Sequence, residues 1–264
     1  MLLSRRHFLK NASLVVTSLS LSSTFTCKTP GLSKATWLPK AQLPYHIQEI
    51  YCAVLNGKIH TAGGFLVENG QVSVSNHHLE YDPQQDQWSE ISQLPTPRHH
   101  LQMAAQKGKI FSLGGFESKG GPDNWIMHKQ TWMYDPVEQQ WLVRRPAPEP
   151  HGESVTANLN GRIHIIGGRR PLGSANARYQ DHGDSNAHLV YDPDTDNWSQ
   201  AAPALTARNS AAGAVINGQL YVAGGRTVHG GNLPNLEIYD PSEDKWRTGT
   251  PMPQAQGGLA AAVV

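Results

Sequence analysis

Cysteine is almost missing from this chain: Cys27 and Cys52 are the only two in 264 residues. That is too few for a disulfide framework, so a packed core has to carry stability. Charge of one sign is missing as well. Lys and Arg number 22 against 21 Asp and Glu, and charged residues make up only 16% of the chain. No basic stripe exists beyond the leader, which excludes a nucleic-acid footprint. No apolar run reaches the roughly 20 residues of a membrane helix, because the candidate segment from Ala12 to Phe25 is short and rich in Ser and Thr. Low-complexity tracts and long linkers are absent. A Gly-x-Ser-x-Gly elbow and a phosphate-cradling glycine loop are absent too, which removes those signs of hydrolase and nucleotide chemistry.

What the chain has is glycine and aromatic residues in fixed register. Tyr to Trp is seven residues four times over: Tyr81 to Trp88, Tyr134 to Trp141, Tyr191 to Trp198 and Tyr239 to Trp246. From Trp to the next turn glycine is twenty, in Trp37 to Gly57, Trp88 to Gly108, Trp141 to Gly161 and Trp198 to Gly218. Six residues further stand Gly63-Gly64, Gly114-Gly115, Gly167-Gly168 and Gly224-Gly225. A period of about 50 residues with constant internal offsets marks a repeat architecture.

The double glycine, the Tyr-Asp-Pro and the Trp at these offsets resemble kelch repeats. The resemblance covers Trp37 to the C-terminus and implies an all-β fold, a β-propeller of four-stranded blades. It implies little about activity, since one propeller scaffold carries unrelated functions.

The residues support that expectation independently. Lys109 to Leu113 and Gln219 to Ala223 are short, β-prone runs bounded by turn residues. With strands lettered a to d, strand a is a small-residue run (Met103 to Gln106, Ser154 to Leu159, Ala211 to Ile216). Small side chains suit the innermost strand of a wedge, where large ones would overpack. Strand b ends at the double glycine, c at Tyr-Asp-Pro, and d starts at Trp. Asn-Gly or Lys-Gly joins a to b in a tight hairpin. The Tyr and Trp series keeps register in every copy, which marks it as packing between blades.

The ends of the chain carry their own expectations. Ser4-Arg5-Arg6-His7-Phe8-Leu9-Lys10 resembles the twin-arginine export signal, so residues 1–27 are expected to be a signal peptide, 28–35 a tether and 36–264 the propeller. Export places the protein in the periplasm or outside the cell, and Cys27 sits where a lipid anchor would attach. Cys52 is expected to be a small buried side chain. Trp37 is expected to open an orphan strand d. The run from Leu259 to Val264 is expected to be another strand a, which makes the array four blades plus a partial one, truncated at the C-terminus.

Function is expected on one rim. The a–b and c–d turns are short and constant, whereas from the second glycine to the Tyr the spans are 17, 19, 23 and 14 residues. Uneven loops on a rigid scaffold are where binding sits. Ten residues after each Trp stand Arg98, His151, Arg208 and Gln256, with Ile47 as the first equivalent; His100 and Glu153 lie two positions further. Phe65, Phe116, Arg169 and Arg226 follow the double glycines, and the longest loop adds Arg170, Arg178, Tyr179, Asp181, His182, Asp184 and His188.

Arg98, Arg169, Arg208 and Arg226 around one mouth would form a cationic funnel for a carboxylate or phosphate. The alternative for Arg98 and Arg208 is a bond to loop carbonyls. The expected ligand is a small acidic or carbohydrate molecule, bound by Arg98, His151, Glu153, Arg169, His182, Arg208 and Arg226, with no catalytic residue assigned. Exported kelch propellers include sialic acid mutarotases, and that resemblance implies an acid and a base flanking a ring oxygen. A non-catalytic propeller with a protein partner is the alternative. A galactose oxidase-type copper enzyme is disfavoured, because no Tyr/His/Cys set matches one. His77, His78, His99, His100 and His182, with Asp181 and Asp184, form no metal constellation, so exposed loop histidines and no cofactor are expected.

Overall fold

The computed structural model describes residues 36–119 and 124–263. The signal segment and Cys27 therefore lie outside the described residues. By backbone contacts the chain divides into Met1–Pro39 and Lys40–Val264, and the second unit holds every strand found among the described residues. No α-helix occurs among the described residues.

Four antiparallel sheets follow one another along the chain, each with its strands in spatial order a-b-c-d. Blade 1 is Cys52–Leu55, Lys58–Ala62, His78–Asp82 and Gln87–Ile91. Blade 2 is Gln102–Gln106, Lys109–Leu113, Thr131–Asp135 and Gln140–Arg144. Blade 3 is Val155–Leu159, Arg162–Ile166, His188–Asp192 and Asn197–Ala201. Blade 4 is Ala212–Ile216, Gln219–Ala223, Leu236–Asp240 and Lys245–Thr248. Strands a of successive blades pack against one another. The small residues Ala53, Ala104 and Ala212 there are buried, as convergence at the narrow end of a wedge requires.

The core is a series of layers between blades. Phe111, Met133 and Leu142 of blade 2 meet Ile163, Leu189, Tyr191 and Trp198 of blade 3, and equivalent layers lie at the two neighbouring junctions. The repeated Tyr and Trp are thus packing residues, as their constant register indicated. Their polar atoms do more. The Trp indole N–H donates to the carbonyl just after strand d of the preceding blade: Trp141 to Ser92 at 2.8 Å, Trp198 to Arg145 at 2.9 Å and Trp246 to Ala202 at 2.8 Å. An aspartate in the c–d turn completes a clasp. Asp196 Oδ1 accepts the Tyr191 hydroxyl at 2.7 Å and the Arg145 N–H at 2.9 Å, and Asp244 does the same for Tyr239 and Ala202, both at 2.8 Å. These aspartates have φ near +50°, a left-handed conformation that Asp tolerates better than most residues. Blade 2 has Gln139 there instead, and its backbone carbonyl accepts the Ser92 hydroxyl.

Residues 36–43 contain no strand, so the expected orphan strand d is not formed as a paired element. Its register is nevertheless kept. Ala41, four residues after Trp37 just as Arg145 is four after Trp141, donates to Asp86 Oδ1 at 2.8 Å and accepts Trp88 Nε1 at 3.1 Å. Nearby, Tyr45 stacks on His77 at 4.3 Å and donates to Glu90. The inner half of that sheet face stays uncovered, which leaves Val54 61% exposed and Cys52 exposed. The expectation of a buried Cys52 is corrected on this ground: no blade among the described residues packs there. Partial burial of the sulfur still raises the thiol pKa. Residues 259–263 likewise contain no strand, since a strand needs a hydrogen-bonded neighbour.

The b–c links are small antiparallel ribbons, which spacing did not reveal. Phe65–Glu68 pairs with Gln71–Val74, Phe116–Glu117 with Ile126–Met127, Arg169–Pro171 with His182–Asp184, and Arg226–Thr227 with Gly231–Asn232. The double glycines let the next blade come close to the start of each ribbon. A Cβ on Gly114 would fall 2.3 Å from the His151 carbonyl oxygen, and the next glycine, Gly115, donates its N–H to that same oxygen at 2.9 Å.

Asp196→Ala would leave the buried Tyr191 hydroxyl and the Arg145 N–H without an acceptor. The expected loss is about 1–3 kcal/mol in urea unfolding, with a smaller loss for Trp198→Phe, which keeps an aromatic ring. Unchanged midpoints in both would contradict the clasp.

Candidate functional site

The mouth is built from one recurring position. The residue leading into each strand a is followed two places later by one in the left-handed region: Glu49 at φ 56°, His100 at 50°, Glu153 at 53°, Ser210 at 50° and Gly258 at 69°. Backbone bonds join three of the four successive pairs, His100 N–H to Glu49 O at 3.3 Å, Ser210 to Glu153 at 3.0 Å and Gly258 to Ser210 at 2.9 Å. The fold therefore imposes the conformation, and the sequence is free to choose the side chain. Here it has chosen an acid, a histidine, an acid, a hydroxyl and nothing.

Glu153 is the centre of this arc. It is 1% exposed; its Oε2 accepts the Ser210 hydroxyl at 3.1 Å and lies 3.8 Å from Arg226 Nη2. Its Oε1 is 3.6 Å from His100 Nε2 and has no hydrogen-bond partner. Leaving one oxygen of a buried carboxylate without a donor is costly. The neighbouring Tyr51 hydroxyl has its pKa raised, first by burial and then by the Glu153 charge.

His100 Nε2 is also 2.9 Å from Glu49, whose carboxyl pKa is lowered chiefly by that hydrogen bond. Its Nδ1 is 2.7 Å from His99 Nδ1, and His99 Nε2 is 3.1 Å from Ser118 Oγ. An ionised carboxylate only accepts. With one proton on each ring, the bonds therefore run from Ser118 to His99, from His99 to His100 and from His100 to Glu49. Above this relay Trp125 is a hub, with ring centroids 4.7 Å from His99, 5.1 Å from His100, 5.2 Å from Phe116 and 5.2 Å from Tyr179.

The four arginines do not form a funnel. Arg98, Arg169 and Arg208 are at most 3% exposed. Arg98 donates to the Pro97 carbonyl, and Arg208 donates to the carbonyls of Gly224 and Asn235. Arg208 Nη2 also lies 3.0 Å from Glu237, close enough for an ion pair but not aligned for a hydrogen bond. Carbonyl bonding, the alternative for Arg98 and Arg208, is what the structure contains. Arg169 lies over the Tyr179 ring at 3.6 Å and donates to the Tyr179 carbonyl, while its Nε and Nη1 have no partner. Only Arg226 keeps an open head, with 44% of its side chain exposed and Nε bonded to Asn209.

The histidines are corrected as well. Of the histidines expected on exposed loops, His78, His99, His100 and His182 are buried and His77 is part-exposed beside Glu90; His151 and His188 are buried too. Strands covered on both faces and backbone-rich lead-in turns leave the buried rings no route to water. His188 opens strand c instead of lying in the loop, and its Nε2 meets His164 Nδ1 at 2.7 Å. His60 and His78 repeat that pair in blade 1 at 3.2 Å. His151 packs under the mouth with both nitrogens unpartnered. His182 Nε2 bonds Asn176 at 3.1 Å, and its Nδ1 is unpartnered. Among the described residues no three His, Cys, Asp or Glu side chains converge as a metal site would require.

The structure thus brings together Glu153, His100 and Arg226 from the sequence expectation. It adds Glu49, Ser210, Asn209 and Trp125. The rule that picked out His100 and Glu153, two places beyond the lead-in residue, also points to Glu49 and Ser210.

Comparison with known proteins bears on the repeat and the fold. Residues 52–264 match the family model described as the KLHDC2/KLHL20/DRC7 Kelch-repeats domain. Kelch-like protein terF of Aspergillus terreus is 28% identical over 231 residues, 83% of this chain and 50% of that protein. Kelch repeat and BTB domain-containing protein 12 of Danio rerio is 33% identical over 184 residues, 64% of this chain and 28% of that protein. The chain therefore spans half or less of the length of these relatives. The solved structure of YjhT superposes with a TM-score of 0.71 at 16% identity, over 87% of this chain and 78% of that one, a likeness of fold.

Burial holds His164, His182 and His188 at about 4, His78 and His151 at about 3 and His99 at about 2, all below the ordinary 6.5. These folded values are depressed, so the stability linked to the neutral rings is complete above pH 6.5 and is lost as the pH falls towards 4. Each ring contributes up to about 1.4 kcal/mol per pH unit in that window. Urea midpoints are expected to drop steeply as the pH falls from 6.5 towards 4, beginning before most carboxylates titrate; a flat profile there would count against neutral burial.

Proposed function

The chain belongs to the kelch-repeat family, and we propose that it is an exported propeller whose mouth binds a small polyhydroxylated molecule of the carbohydrate class. The observation that carries the reading is Glu153, a buried carboxylate with one oxygen waiting for a donor. A ligand hydroxyl supplies that donor. The half-exposed Glu49 adds a second acceptor, and the aromatic group of Phe65, Trp125 and Tyr179 offers faces on which an apolar sugar face can lie.

The charge balance favours hydroxyls over anions, because Glu49 and Glu153 stand against one open guanidinium, Arg226. An acidic sugar fits only if its carboxylate reaches Arg226. The chemistry such a mouth supports is proton transfer at a ring-closing hydroxyl. Glu153 would act as base and His100, backed by His99 and Ser118, as the partner that returns a proton. This is what mutarotation, inversion at the anomeric carbon alone, needs.

Calorimetric titration with neutral and acidic monosaccharides tests the reading. Saturable binding is expected, weakened about tenfold or more by Glu153→Gln, with Arg226→Ala selectively weakening the acidic sugars. A second reading, a protein partner, draws support from the longest b–c link, where Leu172 is 73% and Tyr179 40% exposed. Absence of sugar binding, together with capture of a partner that Leu172→Asp abolishes, would replace the first reading with the second.

Export rests on the Ser4 to Lys10 motif. A reporter fused behind residues 1–35 is expected to leave the cytoplasm in a bacterial host, and Arg5→Lys with Arg6→Lys to retain it. Export that ignores both changes would refute a twin-arginine route.

A further inference from the structure

On the rim opposite the mouth, among the short turns, a cleft of about 480 Å3 opens between blades 3 and 4. Its origin lies in one row of side chains. Residues directly opposite one another on strands b, c and d face the following blade: His60, Glu80 and Ser89 in blade 1, Phe111, Met133 and Leu142 in blade 2, His164, Val190 and Ser199 in blade 3. Blade 2 fills its junction with hydrocarbon, and all three side chains pack against the aromatic face of blade 3. Blade 1 fills its junction with charge, Glu80 holding Lys58 at 2.6 Å. Blade 3 does neither. At each of the three positions its side chain is smaller than the one in blade 2, and the outer half of the junction stays open.

The lining has one chemistry inside and another at its edge. Val190 forms a floor and Tyr239 a wall, while Asn160 and Gln200 place amides around the opening. Two charged groups border the cleft, and they are not equivalent. Asp244 accepts the Tyr239 hydroxyl and the Ala202 N–H, both through Oδ1, which holds its carboxylate in place as part of the wall. Arg162 is 55% exposed on its side chain and pairs with Asp192 through Nε, at 3.5 Å. Most of its five donors are therefore available to an anion.

We propose that this cleft is a second ligand site, for a small anion with a flat apolar ring. The ring lies on Val190 and against Tyr239, in the space that blade 2 fills with Met133 and Leu142, and the anionic group rests on Arg162. The site shares no residue with the mouth and is independent of what the mouth binds.

Anilinonaphthalenesulfonate, an aromatic ring system carrying one sulfonate, is the probe. Fluorescence titration of the full chain is expected to show saturable binding. Filling the cleft with blade 2's residues, Val190→Met with Ser199→Leu, should weaken it about tenfold or more, and Arg162→Gln about fivefold. Glu153→Gln at the mouth should leave it unchanged. Affinity that is equal in the wild type and Arg162→Gln, or absence of saturable binding to the wild type, overturns the proposal. The Arg162 variant keeps the proposal refutable even if the double substitution does not fold.

Discussion

Each blade is tied to the next by carbonyls that its neighbour leaves unused. On the mouth side the second glycine of one blade donates to the lead-in residue of the next, Gly64 to Arg98 at 2.7 Å, Gly115 to His151 at 2.9 Å and Gly168 to Arg208 at 2.8 Å. On the other side the Trp indole donates backwards to the carbonyl after strand d. A buried carbonyl without a donor costs as much as a lost hydrogen bond. These two points therefore fix the angle between blades more firmly than the apolar layer alone, which is non-directional. The mouth depends on the first of them, because fixing the lead-in residue also fixes the left-handed position two places on.

That arrangement separates scaffold from chemistry. The backbone at Glu49, His100, Glu153 and Ser210 is the same in each blade, while the side chains differ from one blade to the next. A propeller can thus change its ligand by changing one residue per blade without disturbing a strand. The buried arginines belong to the scaffold: Arg98 and Arg208 satisfy link carbonyls, and Arg169 is held under an aromatic ring. Their charge is real but turned inward.

The histidines illustrate how burial overrules residue type. Thirteen in 264 residues suggests solvent-exposed loops or metal. In a propeller, however, both faces of an inner sheet are covered, and a polar residue on a strand must find its partner within the junction. His60 with His78 and His164 with His188 solve this by bonding to one another. His78 and His188 then reach, through Nδ1, the carbonyls of Ser92 and Ala202, the same two carbonyls that the next blade's Trp uses. The two pairs thereby become part of the tie between blades.

The repeat, the strands, the hairpin turns and the packing role of Tyr and Trp were all legible in the order of residues. Each depends on residues within one period, where spacing along the chain maps directly onto strand and turn. Loop length is local in the same sense, and it singled out the rim that carries the mouth. The offset from the lead-in residue likewise points to Glu49, His100, Glu153 and Ser210, but which side chains on that rim pair with one another, and which are buried, came only with the packing of blades. Ser210 reaches Glu153 across 57 residues and Arg145 reaches Asp196 across 51, and the burial of Arg98, the exposure of Cys52 and the gap beside Val190 each depend on what an adjacent blade does or does not supply. Burial and pairing are sums over neighbours distant in the chain, and no offset within a repeat encodes them.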